Sequence, residues 1–278
     1  MINGIFLWTK KLYSHCNEDN VTTRAAALAY YTLFSLVPIL LISIYFAGTF
    51  FGEEVAKSQV LAVIKGLWGS EVALQIQKII NGVNYSSTTL FARIISTFIL
   101  LFSSAGVFNE IQEGLNTIWK VKSNVNKGWF YLIKKRFLSF AMVFVFAFLL
   151  LVSLILSAFL ALLSSHINYF LGTNVLMQLL ISDLISFFIL TLLFAMIFKY
   201  LPDVKLAWKH VWLGALVTSL LFSLGKIGIG IYLNQVRLVS VFGAAGFLIV
   251  LLLWFYYSAQ IFFIGAEISK IHSEKSTL

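Results

Sequence analysis

The sequence predicts an all-α membrane protein with six transmembrane helices. Six long apolar stretches fill most of the chain, at about 25–51, 90–108, 137–163, 176–198, 211–232 and 243–266. Each contains about the 20 residues that a helix needs to cross a hydrocarbon layer of ~30 Å. Because a helix satisfies its own backbone hydrogen bonds in lipid, we expect a single six-helix membrane domain over residues 1–278.

The composition excludes an ordinary soluble domain. The mean hydropathy is +0.93 and only 11% of the residues are charged, whereas a soluble domain carries about 25% charged residues. The first apolar stretch is longer than the roughly 7 to 15 residues of a signal-peptide core, so we expect it to stay in the mature protein. Cys16 is the one cysteine, which leaves no disulfide within the chain.

The basic residues are unevenly divided between the two sides of the predicted spans. They concentrate in the N-terminal arm, in the loops after the second and fourth spans, and in the C-terminal tail; the other side carries only Lys57, Lys65, Lys78 and Arg237. By the positive-inside rule, both termini should lie in the cytoplasm. The net charge of +9 needs no nucleic-acid partner, since topology and anionic lipid headgroups already favour it.

Two extramembrane segments have the amphipathic pattern of short helices. Residues 53–87, on the outer side, predict two such helices that cap the bundle or rest on the membrane, and residues 109–136, in the inner loop, contain another. Pro38 lies inside the first span, where its missing N–H favours a kink.

One face of each predicted span is less suited to lipid than the rest, because residues three, four or seven apart share a helix face. The candidate intramembrane polar site consists of Tyr31, Ser35, Pro38, Arg93, Asp183, Lys226, Tyr257 and Gln260. A charge at mid-bilayer costs about 3 kcal/mol or more, so Asp183 and Lys226 should face protein or water. Their similar predicted depth allows an ion pair or a polar cavity, and a purely structural salt bridge is the alternative. Small polar residues equally suit close helix packing, and Arg93 suits an interfacial anchor.

A second group of charged residues falls at the predicted inner boundary. It consists of Arg24, Glu110, Glu113 and Glu267, and we consider it a candidate inner gate. Ion pairs at such a surface commonly contribute less than about 1 kcal/mol, so the group could also be without consequence for stability.

Three long motifs resemble the YihY/BrkB family of bacterial inner-membrane proteins, whose members have carried the label ribonuclease BN. They are RAAALAYYTLFSLVP at 24–38, LPDVKLAWKHVWLGALVTSLLFSLGK at 201–226 and FGAAGFLIVLLLWFYYSAQIFFIGAE at 242–267, with support from NEIQEGLNTIWKV at 109–121. Members usually have Tyr where this chain has Phe242. The resemblance implies a six-helix inner-membrane bundle. For the family, virulence, envelope lipid export and solute transport have been suggested.

Transport or flipping of a lipid or other amphiphilic solute is the expected function, and a non-catalytic envelope scaffold is the alternative. A ribonuclease is the least favoured, because His15, His166, His210 and His272 are scattered over different loops and form no metal-ligand pattern. We expect no cofactor, no metal site and no nucleic-acid partner. Membrane lipids are the expected partners; a homo-oligomer stays open, and the sequence names no protein partner.

Overall fold

The computed structural model describes residues 2–68, 70–82, 106–121, 175–235 and 244–276, and every regular element in these ranges is an α-helix. The helices are α1 (Ile2–Glu18), α2 (Val21–Phe51), α3 (Glu53–Trp68), α4 (Ser70–Gly82), α5 (106–118), α6 (Val175–Tyr200), α7 (Trp208–Gln235) and α8 (Ala244–Ser276). The all-α class is therefore confirmed for this part of the chain.

Among the described helices, two are long and apolar enough to cross a membrane. They contain the segments Trp208–Ile229 of α7 and Gly246–Glu274 of α8, and α2 is a third if its two bent halves form one span. The predicted span at 176–198 falls on α6, within which Ser186–Tyr200 is an apolar segment of fewer than 18 residues. Residues 90–105 and the span predicted at 137–163 lie outside the described residues. The structure thus contains two or three candidate spans, and the count of six stays a prediction.

The first span bends at the predicted position. The segments Val21–Val37 and Ile39–Phe51 meet at 45°, with Pro38 between them. A proline in a helix interior has no N–H to donate and its ring crowds the preceding turn, which produces a kink. The helix ends at Gly52, whose φ of 88° is a backbone conformation that glycine adopts without strain.

Helices α3 and α4 pack against the second half of α2 and the beginning of α8. The core that they share contains Leu40, Ile44, Val60, Ile64, Val72, Ile76, Ile80, Phe247, Leu251 and Trp254. Burial of these side chains is the main contribution to stability here. The two short helices therefore cap one end of the bundle.

Helix α5 packs against α8 at the opposite end. Leu115 and Ile118 are fully buried in a second core with Phe198 and Phe263. The turn after α6 is fixed to α5 by Asp203, whose backbone N–H donates to Asn116 Oδ1 at 2.7 Å while Asn116 Nδ2 donates back to its carboxylate at 3.0 Å. The amphipathic pattern of this loop thus marks a helix built into the bundle.

Candidate functional site

An ionic cluster lies where the turn between α1 and α2 meets the C-terminal part of α8. It consists of His15, Asp19, Lys120, Glu267 and Lys270. Lys270 Nζ is 3.4 Å from Asp19 Oδ2 and 4.0 Å from Glu267 Oε2, and Lys120 Nζ pairs with Asp19 Oδ1. His15 Nδ1 approaches Glu267 Oε2 at 3.5 Å. Three separate parts of the chain therefore meet around two carboxyl groups.

Local backbone geometry brings these side chains together. Glu267 and Lys270 are three residues apart on α8 and so share one face of that helix. Asn20 has a φ of 52°, a left-handed conformation in which Asn is enriched, and it turns the chain from α1 into α2 directly after Asp19. Lys120 also has a positive φ, of 50°, where the chain leaves α5. Each turn presents one charged residue to the end of α8.

The cluster is largely closed to solvent. The side chains of Asp19, Glu267 and Lys270 are 2%, 0% and 9% exposed, whereas that of Lys120 is 57% exposed. Burial by itself raises the pKa of Asp19, but hydrogen bonds with Lys120 and Glu267 and the charge of Lys270 outweigh it and hold this pKa below its ordinary value. Burial, with help from the charges of Glu267 and Asp19, raises the pKa of the adjacent Cys16 thiol to about 11.

The predicted inner-gate residues lie on the elements that form this end of the bundle. Glu267 is inside the cluster, and Arg24 supports it, because its Nε donates to the backbone carbonyl of Asp19 at 3.3 Å. Glu110 lies near Arg24; burial raises the pKa of its carboxyl although the Arg24 charge opposes this. Glu113 accepts a hydrogen bond from Asn109 Nδ2 at 3.1 Å.

Sequence reasoning missed four members of the cluster: His15, Asp19, Lys120 and Lys270. One signal was available, since Lys270 follows Glu267 by three residues and the pair falls on one helix face at the end of an apolar span. The approach of Asp19 and Lys120 depends on contacts between residues about a hundred positions apart in the sequence, and no helix periodicity reports such contacts.

A second feature is an open, apolar groove between α7 and α8, nearer to their other ends. The groove has a volume of about 450 Å³ and is lined by Leu224, Gly225, Gly228, Ile229, Leu253, Trp254 and Tyr257. Tyr257 crosses between the two helices and donates its hydroxyl to the carbonyl of Leu221 at 2.8 Å. A Cβ on Gly225 would overlap the Tyr257 ring, whereas one on Gly228 would meet open space.

The predicted intramembrane polar residues are distributed over several elements. Tyr257 lines the groove, Lys226 lies on α7 with an exposed side chain, and Gln260 is half-buried on α8. Ser35 is buried and its hydroxyl donates to the carbonyl of Tyr31, and Tyr31 itself is 43% exposed. The side chains of Asp183 and Pro38, and all of Arg93, lie outside the described residues. The contact between Asp183 and Lys226 stays a prediction.

Comparison with known proteins shows to which family the chain belongs. The family described as Virulence factor BrkB matches residues 12–277. The chain belongs to the BrkB family. It is 25% identical over 274 residues to a UPF0761 membrane protein of Cronobacter sakazakii, an alignment that covers 95% of this chain and 88% of that one. Relatives of the same description in Psychromonas ingrahamii and Pseudoalteromonas atlantica are 25% and 24% identical, each over 95% of this chain and 85% of their own length.

Membership in the BrkB family confirms the resemblance of the three long motifs, and the names of these relatives agree with the apolar helices that this is a membrane protein. No solved structure matches the chain. The names of the relatives state no reaction and no substrate, so the arrangement of side chains has to carry any proposal about function.

Proposed function

We propose that this BrkB-family membrane protein transports or flips a lipid or other amphiphilic solute, and that the groove between α7 and α8 receives the apolar part of that molecule. The groove is the single observation that carries the proposal. Its volume of about 450 Å³ falls within the roughly 300–1,000 Å³ typical of ligand sites. Of the described helices, it lies between the two that are long and apolar enough to cross a membrane.

The lining of the groove suits a hydrocarbon chain. Leu224, Ile229, Leu253 and Trp254 are apolar, and the hydroxyl of Tyr257 is already engaged with the carbonyl of Leu221. A site of this kind offers few hydrogen bonds to a polar solute, whereas burial of apolar surface is favourable by about 25 cal/mol per Å². Gly228 lines the groove, and a Cβ there would meet open space.

The position of Lys226 favours an amphiphile with an anionic headgroup as the transported molecule. It follows Gly225 directly on α7, its side chain is exposed, and it lies within an apolar segment. An ammonium group at membrane depth costs about 3 kcal/mol unless it reaches water or an opposite charge. A phosphate-bearing headgroup, or the carboxylate of Asp183, would supply that charge while the apolar tail of the solute lies in the groove.

The proposal includes the finer predictions on topology and partners. We place the protein in the bacterial inner membrane, with six spans and with both termini and the ionic cluster at the cytoplasmic side, on the strength of the distribution of Lys and Arg. Membrane lipids are its partners. We assign it no catalytic residue and no cofactor.

The test is a lipid-scrambling assay with headgroup-labelled lipid in proteoliposomes of the purified full chain. Gly228→Leu should fill the groove and lower the scrambling rate at least tenfold, because its Cβ has open space and its larger side chain then occupies the site. Gly82→Leu is the matched control, since a Cβ there also meets open space but Gly82 ends α4 and is not among the residues that line the groove. Lys226→Ala should slow anionic lipids more than zwitterionic ones.

Two outcomes would contradict the proposal. If the wild-type protein neither scrambles lipid nor carries small amphiphiles, transport would be excluded as its function. The envelope scaffold would then remain as the alternative. Equal rates for wild type and Gly228→Leu would show that the groove is not the passage.

A further inference from the structure

The closed part of the ionic cluster does not balance in charge if every group is ionised. The buried side chains are two carboxyls, Asp19 and Glu267, and one ammonium, Lys270. Lys120 also pairs with Asp19, but from a position that is more than half exposed, so it contributes a charge at the surface and not a buried one. One of the two carboxylates would therefore lack a buried counter-ion, and an uncompensated buried charge is strongly unfavourable.

The hydrogen bonds distinguish the two carboxyls. Asp19 accepts from Lys120 and from Lys270, at 3.4 Å for the latter, and these contacts hold the pKa of Asp19 below its ordinary value. Neither oxygen of Glu267 receives a hydrogen bond from the described residues, although its side chain is fully buried. The carboxyls of Glu267 and Asp19 approach the same ammonium group, since Lys270 Nζ lies 3.4 Å from Asp19 Oδ2 and 4.0 Å from Glu267 Oε2. A buried carboxyl in this position is satisfied when it donates a proton rather than accepts one.

We propose that Asp19 and Glu267 form a proton-binding site, in which protonated Glu267 donates a hydrogen bond to the Asp19 carboxylate at neutral pH. The titratable and charged groups that the described elements place against the pair are His15 and Cys16 of α1, Arg24 of α2, Lys120 after α5, and Lys270 of α8. The ligand is a proton, and the bound form joins the α1–α2 turn to α8.

His15 offers the competing arrangement. Its Nδ1 atom is buried, lies 3.5 Å from Glu267 Oε2 and has no hydrogen-bond partner among the described residues. A protonated imidazole would leave Glu267 ionised and would place the proton on His15. The two arrangements differ in one measurable property, which is the presence of a protonated carboxyl at neutral pH.

The proton site also has a mechanical consequence. Loss of the proton would set two carboxylates against each other, and their repulsion would loosen the contact between the α1–α2 turn and α8. If the proposed transport function holds, proton release at this site would open the inner end of the bundle. That use as a coupling proton rests on the proposed function, whereas the proton site does not.

Infrared spectroscopy of the purified full chain in liposomes tests the proton site directly. The wild type should give the C=O stretching band of a protonated carboxylic acid at neutral pH. The band should shift when glutamate, and not aspartate, is labelled with ¹³C, which requires no substitution. Glu267→Gln, whose amide can still donate to Asp19, should abolish the band. Glu110→Gln and Glu274→Gln are matched controls and should retain the band. Glu110 is a half-buried carboxyl at this end of the bundle, and Glu274 is a carboxyl on α8 that pairs with Lys11.

Three results would overturn the proposal: no protonated-acid band in the wild type, a band that persists in Glu267→Gln, or a band that responds to aspartate labelling alone. A band in wild type that His15→Gln leaves in place would support it further. Because the infrared experiment measures no transport, a negative scrambling assay would not contradict the proton site. A negative infrared result would likewise not contradict the transport function proposed for the groove.

Discussion

The α7–α8 pair packs in opposite ways at its two ends. Near the ionic cluster the two backbones are in contact: a Cβ on Gly265 would overlap Thr218 Oγ1, and a Cβ on Gly214 would overlap the Gly265 carbonyl. Near Gly228 the same two helices leave a groove of about 450 Å³. Glycine is present at both ends: at Gly214 and Gly265, and also at Gly225 beside the groove, a neighbouring atom occupies the place of the side chain, whereas at Gly228 nothing does.

This contrast shows that a glycine in a membrane helix can have different structural effects, depending on what lies opposite it. Small residues let helices approach closely, and at this end the Thr218 hydroxyl lies against Gly265 of α8 while it donates within its own helix to the Gly214 carbonyl at 2.8 Å. Where the helices diverge, the same residue type instead creates volume. The closed end therefore suits a rigid joint, and the open end suits a ligand.

The largest expected effect is at the closed end, in the ionic cluster. Asp19→Ala leaves Lys270 buried without its nearest partner and should lower the free energy of unfolding by about 3 kcal/mol, the low end of the range for breaking a buried pair, because Glu267 can ionise in its place. Denaturant titration in mixed micelles measures this. Glu18→Ala, an exposed neighbour, should change little.

The same experiment has a pH dependence with a defined sign. The pKa of Asp19 is lower in the folded protein than in the unfolded chain, so its stabilisation is complete above the ordinary pKa of about 4 and is lost as the pH falls through the folded value. Wild type should therefore lose its advantage over Asp19→Ala in acid. A constant difference between them at all pH values would count against the ion pairs.

The second effect compares glycines directly. Gly265→Ala should destabilise the protein by about 1–3 kcal/mol, because the helices must move apart to admit the methyl group. Gly228→Ala should have no such cost, since its Cβ meets open space, and the lower unfolded-state entropy of Ala even favours it slightly. Equal losses in thermal stability for the two variants would remove the distinction between the closed and open ends.

A smaller effect is expected at the open end. Tyr257→Phe removes the hydrogen bond to the Leu221 carbonyl and should cost about 1 kcal/mol. Because that bond ties α8 to α7 beside the groove, the variant should also alter scrambling of labelled lipid. The neighbouring Tyr256→Phe serves as the comparison in both assays, and an identical outcome for the two would indicate that the hydroxyl of Tyr257 has no special role.

The smallest effect concerns the outer surface of the closed end. Lys11 Nζ pairs with Glu274 Oε2 at 2.8 Å, but both side chains are more than 40% exposed. Lys11→Ala should therefore cost less than about 1 kcal/mol, and the difference should vanish in high salt. A loss as large as that of Asp19→Ala would mean that α1 is held by this surface pair and not by the ionic cluster.

Much of the fold followed from local patterns. Long apolar runs predicted α2, α7 and α8, amphipathic spacing predicted α3, α4 and α5, and Pro38 predicted the bend. The motif at 242–267 also indicated the family, because it preserves a long specific string of residues. These features depend on neighbours a few positions apart, and such neighbours are visible in a sequence.

The candidate sites depended on distant contacts. Tyr257 and Glu267 were singled out as polar residues in an apolar helix, but their surroundings were not predictable: Glu267 meets Asp19, which is 248 positions away by their residue numbers, and Tyr257 meets α7. For Lys226 the sequence predicted only the depth in the membrane. That its side chain is exposed depends on how the helices pack.

The sequence by itself determined that this is a membrane protein and where most of its described helices lie, because hydrophobicity and helix periodicity are local quantities. Only the tertiary structure decided which polar residues meet and where space remains. Burial, counter-ions and voids arise when helices pack against one another, and the same Gly, Glu or Lys can close a joint, hold a proton or open a groove according to what lies opposite it.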